Sequence, residues 1–151
     1  MKKIAILAAA IVAFGATSIA VSKERDPNER AIAAREAAFT LMAANFGPMG
    51  AMAKGKTPFD QEQFAKRAAN LEVLSKMPWE FFIPGSDKGD TEAKPEVWSN
   101  PDDYKAKAEK FQQEVAKLVE VSKGSDQKAM FAQVGATAKT CKSCHEKYKE
   151  D

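Results

Sequence analysis

Outside residues 141–145 this 151-residue chain has no cysteine and no histidine. Any thiol or imidazole chemistry is therefore confined to one short stretch six residues from the C-terminus. Strand signals are also missing: no segment alternates apolar and polar residues convincingly, which argues against a sheet and against the strand–helix alternation of βαβ folds. Net charge is scarce, with Lys+Arg 23 against Asp+Glu 21. The apolar run from Ile4 to Phe14 is too short for a membrane span, which needs about 20 such residues.

That run belongs instead to a secretory signal over residues 1–20. Lys2 and Lys3 form its basic start, and Ser18 and Ala20 are the small residues expected before a cut after Ala20. Cleavage removes two lysines and no acid, leaving 21 cations against 21 anions. A balanced chain carries no strong field for nucleic acid or anionic lipid, so neither is expected as a partner of the mature protein. Export implies a periplasmic location. The remaining residues, 21–151, suffice for one domain with a hydrophobic core.

That domain reads as four amphipathic helices. Asp26-Pro27-Asn28-Glu29 is a strong helix start, and the first helix then presents Ile32, Arg35, Phe39, Met42 and Phe46 on one stripe. Gly47-Pro48 is expected to break it and Gly55 to close the region. Thr57-Pro58 opens a second helix with Phe64, Ala68, Leu71 and Leu74 inward, stopped at Met77-Pro78-Trp79. Residues 79–100 form a long irregular connection, bracketed by Trp79 and Trp98, which are expected to pack on the helices. A third helix follows Pro101, with Tyr104, Ala108, Phe111, Val115, Leu118 and Val119 inward. Ser125 is expected to cap the fourth, whose inner positions are Met130, Phe131, Val134, Ala138, Cys141 and His145. The expected fold is all-α, an antiparallel four-helix bundle.

The last of these helices carries CKSCH, Cys141 to His145. Cys-x-x-Cys alone serves a redox dithiol, half a zinc site or a structural disulfide. A histidine directly after the second cysteine points to covalent c-type haem attachment, in which two thioethers hold the porphyrin and the histidine ligates iron. Three ligands would suffice for a catalytic zinc centre, so count alone leaves zinc open. In an oxidising compartment the two thiols could instead close on each other unless haem is added there.

Together with AREAAFTLM, GKTPFD, MPWEFFIPGS and KPEVW, the C-terminal CKSCHEKY makes the chain resemble the cytochrome c′ family, the class II c-type cytochromes. The resemblance covers essentially all of residues 21–151. It implies one covalent haem c, with Cys141 and Cys144 on the vinyl groups and His145 on iron. It places Arg35 near the haem propionates, where a cation can hold carboxylates, and Phe39 over the open side of iron. Asp90 and Thr91 fall near the propionate edge by the same resemblance. Glu36 stands where glutamine is common, and Lys149 where arginine is common, so both depart from the family pattern. Snorkelling to the surface is the ordinary alternative for Arg35, and packing in the core is the ordinary one for Met42 and Phe46.

With no second histidine, methionine is the usual alternative for a sixth iron ligand, and of Met42, Met49, Met52, Met77 and Met130 only Met42 shares the stripe of Phe39. If Phe39 fills that space, iron is five-coordinate and high-spin, open to nitric oxide or carbon monoxide. If Met42 ligates, the chain is a low-spin electron carrier. Either way a redox partner is implied, and a homodimer follows from the resemblance. No enzymatic activity is expected, because the site lacks a second ionisable group to act as acid or base.

Overall fold

Helix α1 begins where the sequence indicates: the Asp26 carboxylate accepts the Asn28 amide at 2.8 Å and Pro27 takes the first helical position. In the computed structural model, which describes residues 26–150, α1 runs over Pro27–Ala53. Gly47-Pro48 therefore does not break it. A proline inside a helix deprives the carbonyl four residues earlier of its donor. Here that carbonyl, Ala44 O, accepts Arg67 Nη1 at 3.2 Å from the neighbouring helix. Beyond Pro48 the last turns are held by Met49 and Met52, 0% and 8% exposed. The export segment expected at residues 1–20 lies outside the described residues.

Helix α2 spans Gln61–Leu74, starting later than Thr57-Pro58 suggests. Asp60 is the cap, accepting the Gln63 amide at 3.0 Å. An aspartate with the right reach outranks a Thr-Pro pair, because its carboxylate satisfies an otherwise orphan amide. The connection after α2 is less irregular than expected: Pro78–Phe81 forms a 3₁₀ helix and Glu96–Ser99 a short α3. Helix α4 covers Pro101–Ser122 and α5 Gln127–Tyr148. The cap of α5 is Asp126 rather than Ser125, its carboxylate accepting the Ala129 amide at 3.0 Å.

Each long helix packs on the next, and α5 returns to α1, so α1, α2, α4 and α5 close an antiparallel four-helix bundle. The described residues hold no strand, only one isolated antiparallel bridge between Ala93 and Lys149. The core runs through Met42, Met49, Phe64, Leu71, Val115, Leu118 and Met130. On α5 the inward position is Thr137, not Ala138, which is exposed. The threonine hydroxyl is satisfied by donating to Gln133 O at 2.9 Å, so its burial leaves no polar group unpaired. Among the described residues no helix is long and apolar enough to cross a membrane.

Candidate functional site

The last turns of α5 carry Cys141, Cys144 and His145, three and four residues apart and so on one helical face. Both thiols are free and partly buried. Burial raises the Cys141 pKa and pushes Cys144 up to about 11, although Lys107 pulls the latter down. Both therefore remain protonated at neutral pH. A redox dithiol needs a thiolate, favoured at a helix N-terminus or beside cations. These thiols sit near the C-terminal end of α5 and are shifted the opposite way. Zinc fares no better, since among the described residues no three His, Cys, Asp or Glu side chains converge to hold a metal.

His145 is exposed, contrary to its expected inward position. Partial desolvation lowers its pKa, Lys149 lowers it further and Glu92 opposes both. The ring is thus neutral at neutral pH, the form that offers a nitrogen lone pair to iron. Lys149 Nζ and Glu92 Oε2 pair at 3.0 Å beside it.

An aromatic wall fills this end of the bundle. Phe39 meets the rings of Trp79 and Phe82 edge-on, with centroids 5.9 and 6.4 Å away. Tyr104 packs on Trp79, Phe82 and Tyr148. Burial raises the Tyr104 phenol pKa, and its contact with Tyr148 joins the wall to the end of α5 that carries Cys144 and His145. Two free, protonated thiols one turn apart, an adjacent neutral imidazole and a facing wall of rings fit a planar apolar macrocycle tethered at one edge. An open groove of about 570 Å³ between α4 and α5 is lined by Ala132, Ala136, Lys139 and Ser143 among others, but by none of the three candidate ligands.

Arg35 does not snorkel: it is 2% exposed. Its four terminal N–H groups go to protein acceptors. Nη1 donates to Phe81 O at 3.2 Å and Ser86 Oγ at 2.8 Å, while Nη2 donates to Ser86 O and Thr91 Oγ1, each at 2.7 Å. Its planar face lies 4.5 Å from the Phe82 centroid. Burial lowers its pKa, and Tyr104 and Glu36 partly restore it. The fork that the resemblance assigns to haem carboxylates is here committed to the loop. Thr91 joins Arg35 directly, whereas Asp90 and Glu36 are exposed.

Several residues of this end escaped the sequence reading. Ser86 is fully buried and binds Arg35 twice. Tyr148 donates its hydroxyl to Asp103 Oδ2 at 2.5 Å, and Lys147 Nζ lies 2.9 Å from the same oxygen. The signal for Ser86 was its flanking glycines. Gly85 and Gly89 adopt φ of 88° and 103°, which few other residues tolerate. A Cβ on Gly85 would come within 3.2 Å of the Asn28 side chain on α1.

Comparison with known proteins agrees with this geometry. The family described as Cytochrome C' matches residues 30–149. The cytochrome c' of Rubrivivax gelatinosus is 49% identical over 121 residues, covering 80% of this chain and 94% of that protein. The structure of cytochrome c prime from Shewanella frigidimarina superposes with a TM-score of 0.81 at 48% identity, covering 85% of this chain and 100% of that one. A nitric oxide complex of a mutant cytochrome c prime from Alcaligenes xylosoxidans matches with a TM-score of 0.78 at 35% identity, covering 85% and 99%.

Proposed function

The chain belongs to the cytochrome c′ family, whose proteins carry covalently attached haem c, and from that premise we propose a periplasmic haem protein that binds small diatomic gases, nitric oxide foremost, at five-coordinate high-spin iron and exchanges electrons with a redox partner. The haem supplies a gas-binding position and a one-electron couple. Cys141 and Cys144 tether it and His145 ligates its iron. Export through residues 1–20 brings the chain to the compartment where attachment occurs.

The observation that carries the five-coordinate reading is the placement of the methionines. Met42 is 5% exposed and packed among the core side chains, and Met49, Met52 and Met130 are likewise buried. Withdrawing Met42 to reach iron would leave a core cavity costing about 2–5 kcal/mol. Met77 is 42% exposed, in the turn that follows α2. Phe39, one turn before Met42, is half-buried and is held by Trp79 and Phe82. A ring there admits small ligands and offers no ligand atom. The nitric oxide complex of the Alcaligenes relative supports the choice of gas.

The reading assigns no enzymatic turnover. The imidazole is committed to iron, and Lys149 and Glu92 pair with each other rather than standing as free acid or base. A homodimer is part of the proposal, supported by Leu41 and Val73, 53% and 57% exposed on the adjoining helices α1 and α2.

The test is spectroscopic. The ferric protein is expected to be high-spin, and Phe39→Ala is expected to accelerate carbon monoxide binding at least about tenfold, equivalent to ~1.4 kcal/mol of barrier. A low-spin ferric spectrum with a sulfur-to-iron band, lost in Met42→Ala and kept in Phe39→Ala, would overturn the gas-binding reading in favour of an electron carrier.

A further inference from the structure

The contacts around Arg35 and the backbone bonds beyond α5 form one continuous clasp. Thr91 Oγ1 accepts Arg35 Nη2 at 2.7 Å and also the Ala93 amide at 3.1 Å. Ala93 is bridged to Lys149: the Lys94 amide donates to Tyr148 O at 3.0 Å and the Glu150 amide to Glu92 O at 2.8 Å. The last carbonyls of a helix lack donors of their own. Tyr148 O finds one in this loop, three residues after His145. The guanidinium fork, the loop and the end of α5 are thus linked without a gap. The fork serves four acceptors, Phe81 O, Ser86 Oγ, Ser86 O and Thr91 Oγ1, one more than the three donors of a lysine.

We propose that Arg35, Ser86 and Thr91 are positioning residues for His145: the buried guanidinium on α1 fixes residues 86–94, and the far end of that segment, paired with 148–150, sets the direction in which the imidazole leaves the last turn of α5. The proposal rests on His145 as the iron ligand, but not on the gas-binding reading. The opposite side of the same turn is tied separately to α4 through Tyr148 and Asp103. Loosening the loop therefore releases one side of the turn and leaves the bundle closed.

The experiment uses the holoprotein with Thr91→Val, which keeps the shape and removes the hydroxyl. Amide exchange at Lys94 and Glu150 is expected to speed up about tenfold while Val115 and Leu118 stay unchanged. The hyperfine-shifted ring-proton resonances of His145 in the ferric protein are expected to move. Thr91→Ser, which restores the hydroxyl, is expected to restore both. The proposal is overturned if exchange at Lys94 and Glu150 does not change, if it rises while the His145 resonances stay fixed, or if Thr91→Ser behaves like Thr91→Val. Should Thr91→Val not fold, Ser86→Ala is judged by the same criteria. The ring resonances exist in high-spin and low-spin ferric protein alike, so a methionine-ligated spectrum would sink the gas-binding reading and leave this one to be decided.

Discussion

The two ends of the bundle use aromatic residues in different ways. At the end where α1 meets α2, Phe59 packs on Phe64 and, edge-on at 5.6 Å, on Phe131, in the same cluster as Met49 and Met130. No ring there has a polar tip. At the other end Trp79, Trp98 and Tyr148 use theirs: Trp79 Nε1 donates to Ser75 O at 2.6 Å, Trp98 Nε1 to Ile83 O at 3.1 Å, and Tyr148 to Asp103. The reason lies in what each end must hold. Short connections close the first, residues 54–60 with Phe59 on them and residues 123–126, and there one side-chain amide, that of Gln61, meets the carbonyls of Ser122 and Gly124. A long loop covers the second, and its carbonyls need donors, which indoles and a buried guanidinium supply while still presenting apolar faces to the site.

This contrast breaks most visibly if the tethers are removed. Replacing Cys141 and Cys144 together with alanine is expected to abolish covalent haem, seen as loss of the haem-sized adduct by mass spectrometry. The Phe59–Phe64–Phe131 end should keep its helices, because Phe131 stands in the first turns of α5 and the tethers in its last. A haem adduct surviving in the double variant would contradict the assignment of the motif.

The second comparison is energetic. Phe64 is 0% exposed, and Phe64→Ala is expected to cost about 3–5 kcal/mol in denaturant unfolding. Phe39 is only partly buried, so Phe39→Ala should cost roughly 1–2 kcal/mol, in proportion to the smaller area it hides. Its larger effect belongs to ligand entry. Equal destabilisation by the two would mean that the site end contributes as much to folding as the closed end, against the division drawn here.

The closed end was legible in the sequence because it depends on periodicity: Phe64, Ala68, Leu71, Val115, Leu118, Met130 and Val134 are all buried where helical spacing puts them. The grouping of Cys141, Cys144 and His145 on one face of α5 was legible because the motif is local, whereas the exposure of His145 was not. What was not legible depends on partners distant in sequence. Pro48 stays inside α1 because Arg67 supplies a donor to Ala44 O, and nothing near Pro48 announces that. Arg35 is buried because Ser86 and Thr91, 51 and 56 residues away, accept from it. The shift from Ser125 to Asp126 and from Thr57 to Asp60 has a different cause. Neighbouring cap candidates compete, and backbone geometry decides between them.

Trp98 provides a finer probe of the polar tips. Trp98→Phe keeps a ring against Phe82 but removes the donor to Ile83 O. The expected loss is about 1 kcal/mol, the net worth of one hydrogen bond. No change in unfolding free energy would show that the ring alone holds the loop.

The smallest expected effect lies between the two ends, at Glu114 on α4. Its carboxylate is mostly shielded and takes Lys110 at 2.8 Å, Lys117 at 2.9 Å and Gln133 Nε2 at 2.7 Å. Hydrogen bonds from Lys110, then from Gln133 and Lys117, hold its pKa down at about 2, while desolvation works weakly against them. An unfolded glutamate titrates near 4.3. A depressed folded pKa means that the unfolded chain binds the extra proton first. The contribution of Glu114 is therefore fully present above pH ~4.3 and lost as pH falls through about 2. Glu114→Gln should lower stability at neutral pH and flatten the slope between those two values, read from denaturant midpoints at stepped pH. The two lysine side chains are 56% and 58% exposed, so salt screens the pairs and the change should be modest. If the parent protein and Glu114→Gln lose stability in parallel across that window, the acid sensitivity belongs to other carboxylates.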